Sequence, residues 1–172
     1  MSERENAVKF QGKPLTLTGN EIMEGDQAPD FTVVDTELNE KSLDDYKGKA
    51  LLITSVPSLD TAVCEQETKR FNMEVGLLGS QVQALVISMD LPFAQARWVN
   101  EKDVKTVKTL SDYRYASFGE NWGVLIKELR LLARVVFVVD KSGKVTYRQV
   151  VEEITTEPDY DAAISALREH IE

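Results

Sequence analysis

The chain has 172 residues, 42% of them hydrophobic and 28% charged, the size and composition of one globular domain with a substantial core. Its 29 acidic against 20 basic residues leave a net charge of −9, which argues against nucleic acid or an anionic membrane surface as partner. No stretch approaches the roughly 20 apolar residues that span a bilayer. The polar opening, Met1 to Asn6, has no apolar core behind it and reads as no signal peptide. One cysteine allows no internal disulfide, which is compatible with a reducing cytoplasm, and one cysteine with one histidine offers too few ligands for an ordinary zinc site.

In chain order, Val8 to Thr18 alternates loosely around Gly12-Lys13-Pro14 and reads as a small N-terminal hairpin. Gly25 to Asp30 is a loop into a short strand, Phe31 to Val34, and Leu43 to Tyr46 is a helical turn ending at Gly48. Lys49 to Ser55 is the first strongly buried strand, within the apolar run Leu51 to Val56. Good helix formers fill Glu65 to Leu78, and Gln83 to Ser88 is a second apolar strand. Leu91 to Trp98 is a short helix with Pro92 at its start. Val107 to Leu110 reads as a strand and Tyr115 to Gly119 as a helical turn.

Arg134 to Asp140 is a strand dense in β-branched residues; Lys141 to Lys144 turns it back into Val145 to Val151. Pro158-Asp159-Tyr160 opens a last amphipathic helix, with Tyr160, Ala163, Ile164 and Leu167 on one face. His170 is expected in solvent at its end, where a cation suits the dipole. With no repeat or linker, the chain reads as one domain, residues 1–172. Strands interleaved with helices, then a closing hairpin and helix, predict an α/β fold with a mixed central sheet flanked by helices, in thioredoxin-like order.

Cys64 falls where the helix after the first buried strand begins. There it faces unpaired backbone N–H groups and the positive end of the helix dipole, an environment that favours the thiolate. The inert alternative is a small buried hydrophobe with no chemistry. Thr61, three residues earlier, can turn its hydroxyl toward the sulfur or a bound oxygen. Pro57 can stiffen the loop and cover the thiolate, and the N–H groups near Val63 and Cys64 can cradle developing negative charge. Arg134 opens an apolar strand and needs an anionic partner or water there: a thiolate suits it, an ordinary carboxylate is the alternative, and Arg130 competes for the role. Disulfide exchange of the Cys-x-x-Cys type is disfavoured, because the position three beyond Cys64 is Glu67.

The pattern Pro57-x-x-x-Thr61-x-x-Cys64 resembles the peroxiredoxin signature. Pro57 to Thr61, Asp90 to Arg97, Thr109 to Asp112, Leu131 to Arg134 and Glu153 to Pro158 resemble the atypical two-cysteine thiol peroxidase subfamily, from about Phe10 to the C-terminus. The resemblance implies that Cys64 is the peroxidatic cysteine, with Pro57, Thr61 and Arg134 around it and no cofactor. It implies a homodimer that reduces hydrogen peroxide and organic hydroperoxides with a thioredoxin-like protein or small thiol as reductant. The subfamily's resolving cysteine corresponds here to Val99, followed by Asn100, so the implied disulfide cannot form. A natural one-cysteine variant and a Cys-to-Val replacement both fit. Two other readings stay open: a peroxide-sensing relay that passes its oxidation to a partner, and a catalytically silent scaffold. Phe93 and Trp98 can accept the tail of a lipid-like hydroperoxide, or pack in a core or dimer contact.

Overall fold

The computed structural model describes residues 2–172; Met1, the first residue of the polar opening, lies outside them. The chain runs β1 (Glu3–Phe10), β2 (Lys13–Thr18), β3 (Thr32–Val34), β4 (Glu40–Ser42), a 3-10 turn (Leu43–Tyr46) and β5 (Ala50–Ser55). It continues through α1 (Ala62–Gly76), β6 (Val82–Ser88), α2 (Pro92–Lys102), β7 (Val107–Ser111) and α3 (Ser117–Asn121). Last come β8 (Leu125–Ile126), β9 (Leu131–Leu132), β10 (Val135–Val139), β11 (Val145–Val150) and α4 (Tyr160–Arg168).

A seven-stranded mixed sheet, ordered β11-β10-β5-β6-β7-β3-β4, forms the centre. β5, β6 and β7 are parallel, joined by α1 and α2 as crossovers, while β10 runs antiparallel to β5. A smaller antiparallel sheet, β1-β2-β8-β9, carries the N-terminal hairpin. The expected α/β layering with a mixed sheet is therefore present.

The alternation of β5 decides what each face does. Leu51 and Ile53 join Phe31, Phe118, Trp122 and Phe137 in a core under the smaller sheet. Ala50 and Leu52 face the other way, into a core with Phe71, Val75 and the α4 residues Tyr160, Ala163, Ile164 and Leu167. By that alternation Thr54 shares the helix-covered face, and it meets a side chain of α1 there. The four residues of α4 expected on one face are all buried.

Several expectations are extended or corrected. The hairpin begins at Glu3, and its turn is Gln11-Gly12, both at positive φ, so Lys13 and Pro14 belong to the second strand. α1 begins at Ala62 rather than Glu65, and α2 continues past Trp98 to Lys102. Arg134 lies just before β10, not inside it. β4, β8 and β9 are additional strands. His170 lies beyond the end of α4 and is half-buried, its Nε2 3.0 Å from Thr146 Oγ1 on β11, rather than free in solvent. No helix among the described residues is long and apolar enough to cross a membrane.

Candidate active site

β5 ends at Ser55, and the chain turns through Val56 and Pro57, both buried, into the loop Ser58 to Asp60. Thr61 caps α1 in an extended conformation (φ −120°), its Oγ1 accepting from the Cys64 N–H at 3.3 Å. Cys64 is thus the third residue of the helix, in the first turn, where N–H groups converge and the dipole is positive. It has no exposed surface and packs with Val56 and Leu59.

Arg134 stands just before β10, on the same helix-covered face as Val136 and Thr54, which pair across β10 and β5. One Nη2 lies 3.2 Å from Cys64 Sγ, while Nη1 donates to Glu67 Oε2 at 2.6 Å. Nε and Nη2 also donate to the Ile154 carbonyl, at 3.0 and 2.9 Å, which fixes the plane of the guanidinium. The guanidinium is 1% exposed as a residue and Glu67 not at all. Both candidate anions for Arg134 are therefore engaged at once: the sulfur and a carboxylate. Arg130 takes no part; it sits in the turn between β8 and β9 at positive φ.

Burial works against the Arg134 charge, but Glu67 and the sulfur outweigh it and hold its pKa above the ordinary value. Burial also pushes the Glu67 carboxyl up, with Arg134 and Thr54 pulling the other way without cancelling it. Thr54 Oγ1 lies 2.6 Å from Glu67 Oε1 and 3.0 Å from the Val135 carbonyl, and Thr68 Oγ1 donates to the Cys64 carbonyl at 2.8 Å. Glu67, Thr54 and the Ile154 carbonyl were not singled out from sequence as site groups. A signal for Glu67 existed: it lies on the α1 face marked as buried by Cys64, Thr68, Phe71 and Val75, where a carboxylate needs a partner.

The structure brings Thr61, Cys64 and Arg134 together, with Pro57 buried in the loop that leads to them, and with one difference in detail. The Thr61 hydroxyl donates to the Ser58 carbonyl at 3.2 Å and accepts from Cys64 N, so it faces backbone rather than sulfur. The Cys64 N–H is consequently occupied, and the cradle for negative charge is left to Ala62 and Val63, which have no intrahelical acceptor.

A matching family model, Redoxin, covers residues 23–164. The chain is 54% identical over 161 residues to the thiol peroxidase of Bacillus subtilis (strain 168), across 94% of this chain and 96% of that protein. It belongs to the Redoxin family, among the thiol peroxidases. This redoxin is also 53% identical over 161 residues to the thiol peroxidase of Staphylococcus aureus (strain MRSA252), covering 94% of this chain and 97% of the other. The crystal structure of a peroxiredoxin-like protein from Aquifex aeolicus superposes with a TM-score of 0.89 at 44% identity, over 96% of this chain and 98% of that one. The fold is the thioredoxin-like fold of the peroxiredoxins. A thiol peroxidase from Chromobacterium violaceum shares it, with a TM-score of 0.83 at 24% identity over 94% and 95% of the two chains. Membership makes this redoxin a peroxiredoxin enzyme, acting in thiol-dependent peroxide reduction.

Its single thiol leaves no internal partner for Cys64. Val99, the position expected to correspond to the resolving cysteine, is half-buried on α2 and packs against the helix-side core. It lines a cavity of about 310 Å³ with Asp35, Val104 and Thr109, in which Cys64 has no part. Of the two aromatics on α2, Trp98 is buried in that core and Phe93 is 69% exposed.

Proposed function

We propose that Cys64 is the peroxidatic residue and that Arg134 and the Thr61 turn serve it. As thiolate, the sulfur attacks the terminal oxygen of a hydroperoxide. The O–O bond breaks, the leaving oxygen takes a proton and departs as water or an alcohol, and Cys64 becomes a sulfenic acid. The observation that carries this reading is the fixed guanidinium at 3.2 Å from Sγ, at the start of α1. A positive charge there supports the thiolate and then the charge moving onto the leaving oxygen. The N–H groups of Ala62 and Val63 hold the peroxide, the Thr61 turn fixes the start of α1 that presents them, and Pro57 shelters the reaction from water.

Cys64 has no exposed surface, so peroxide enters when the Pro57–Thr61 loop or the first turn of α1 opens. Hydrogen peroxide and organic hydroperoxides are both substrates in this reading, with the exposed Leu91 and Phe93 at the start of α2 as apolar surface beside the entrance. The same surface supports a homodimer.

With no second cysteine, an external thiol attacks the sulfenic sulfur and releases water. A second thiol then reduces the mixed disulfide and restores Cys64. A thioredoxin-like protein or a small thiol in a reducing cytoplasm fits that role. Steady-state loss of hydrogen peroxide, with a thioredoxin system or a dithiol as reductant, tests the proposal. Turnover that vanishes in Cys64→Ser supports it; turnover that survives in Cys64→Ser, or stoichiometric oxidation without turnover, overturns it, the latter in favour of a relay.

A further inference from the structure

We propose that Asp90 is a positioning residue for the peroxide-binding turn, acting through Ser58 and Thr61; the inference rests on the peroxidase reading above. Asp90 follows β6 and does not touch Cys64. Its carboxylate nevertheless accepts three hydrogen bonds. Ser58 Oγ donates to Oδ1 at 2.7 Å; the Leu59 N–H and Ser88 Oγ donate to Oδ2 at 2.8 and 2.7 Å. Three charge-assisted bonds on one half-buried carboxylate make it the principal anchor of a loop that has no regular structure of its own.

The connection onward is continuous. Ser58 Oγ accepts from the Asp60 N–H at 3.1 Å, and the Ser58 carbonyl accepts the Thr61 hydroxyl proton at 3.2 Å. With its proton committed there, Thr61 Oγ1 presents its lone pairs to the Cys64 N–H. The position of Asp90 thereby sets the orientation of the Thr61 oxygen and the start of α1.

Asp90 is itself held. Ser111 Oγ, at the end of β7, donates to its carbonyl at 2.5 Å. Ser88 Oγ accepts from Gln95 Nε2 on α2 at 3.0 Å, and the same Nε2 donates to the Leu110 carbonyl at 3.0 Å. Gln95 is fully buried. The ends of β6 and β7 and the first turns of α2 thus form one hydrogen-bonded frame, and Asp90 hands its position to the catalytic loop. A neutral amide cannot keep all three bonds: its one oxygen can accept from Leu59 and Ser88 or from Ser58, while its NH2 accepts from none of them.

The test compares two reactions of one sulfur. Oxidation of Cys64 by hydrogen peroxide needs the Thr61 turn in place; alkylation by iodoacetamide does not. In Asp90→Asn the second-order peroxide rate should fall on the order of tenfold, since small misplacements of a reacting geometry carry such costs. The alkylation rate should stay level or rise. Ser58→Ala, a smaller change, should show the same selective loss and answers the question should Asp90→Asn fold poorly. In a Thr61→Val background, Asp90→Asn should cost nothing further, because the residue it acts through is already gone. An unchanged peroxide rate in both variants overturns the proposal, as does a fall shared equally by peroxide and iodoacetamide, or losses that multiply with Thr61→Val. An unmutated protein that does not react with peroxide is a different result, and removes the peroxidase reading itself.

Discussion

Replacing Arg134 by Met separates what the guanidinium does for the fold from what it does for the sulfur. The side chain is buried, paired at 2.6 Å with a fully buried Glu67, and donates twice to the Ile154 carbonyl. Removing it strands Glu67 and an acceptor in the interior. Breaking one side of a buried pair costs about 3–5 kcal/mol. Because burial already pushes Glu67 toward its protonated form, the carboxyl can neutralise, which favours about 3 kcal/mol, the lower end of that range. For a chain of this length roughly 2–4 °C of Tm accompany each kcal/mol, so a fall of about 6–12 °C is expected. Removing both partners in Arg134→Met/Glu67→Met replaces the pair with apolar volume and should recover most of that loss. The peroxide rate should not recover. It should stay down by about tenfold to a hundredfold in both variants, because the charge near Sγ is gone. Thermal unfolding of the reduced proteins and stopped-flow oxidation of Cys64 provide the two readouts. A double variant that regains both stability and rate would show that Arg134 only keeps Glu67 company, and the catalytic role assigned to it would fall.

Thr61→Val removes both the helix cap and the oxygen of the turn; about tenfold in peroxide rate should go, with about 1 kcal/mol of stability, and Thr61→Ser should restore both. A rate in Thr61→Val equal to that of the unmodified chain would refute the role. Val99→Cys should form an internal disulfide after peroxide, more slowly than Cys64 oxidises, because the two positions share no cavity and α1 and α2 must open first; non-reducing peptide mapping checks this, and its absence would mean Val99 is not the resolving position. Glu153 accepts from the N–H groups of Gly12, Gln11 and Thr155, which hold its carboxyl down at about 2, and so docks the N-terminal hairpin. Its folded pKa is depressed, so its contribution is present above the ordinary value of 4.5 and is lost as the pH falls toward about 2. Glu153→Gln should flatten that part of the acid-unfolding curve and speed amide exchange at Gly12; an unchanged curve would contradict the docking role.

The elements that could be read from sequence were those with enough residues to show a period. β10 is a run of buried apolar residues, β5 is one as far as Ile53, and α4 repeats its apolar positions every three to four residues. β8 and β9 are two residues each, and β4 is the polar tripeptide Glu-Lys-Ser; such pieces exist because a neighbouring strand offers hydrogen bonds, not because of a pattern of their own. α1 starts three residues early because Thr61 caps it, and the cap is visible in sequence only once the start is known. At the site, Cys64, Thr61, Pro57 and Arg134 were legible together through the family pattern, whereas spacing alone left the partner of Arg134 open. The structure answers it with both Glu67 and the Cys64 sulfur, and the Ile154 carbonyl, a backbone group, has no signature in a side-chain sequence. His170 was misplaced because Thr146, on an adjacent strand, offers it a partner that the chain order does not reveal.

The most direct test is a single turnover. Reduced protein is mixed with one equivalent of an organic hydroperoxide, with a sulfenate trap present, and followed by intact mass and peptide mapping. Rapid, stoichiometric trapping at Cys64, slowed in Arg134→Met, is the result expected of a peroxidatic centre built as described. A thiol that stays reduced over minutes would mean that the guanidinium at 3.2 Å from the sulfur does not make a reactive thiolate here, and would leave the fold without the chemistry assigned to it.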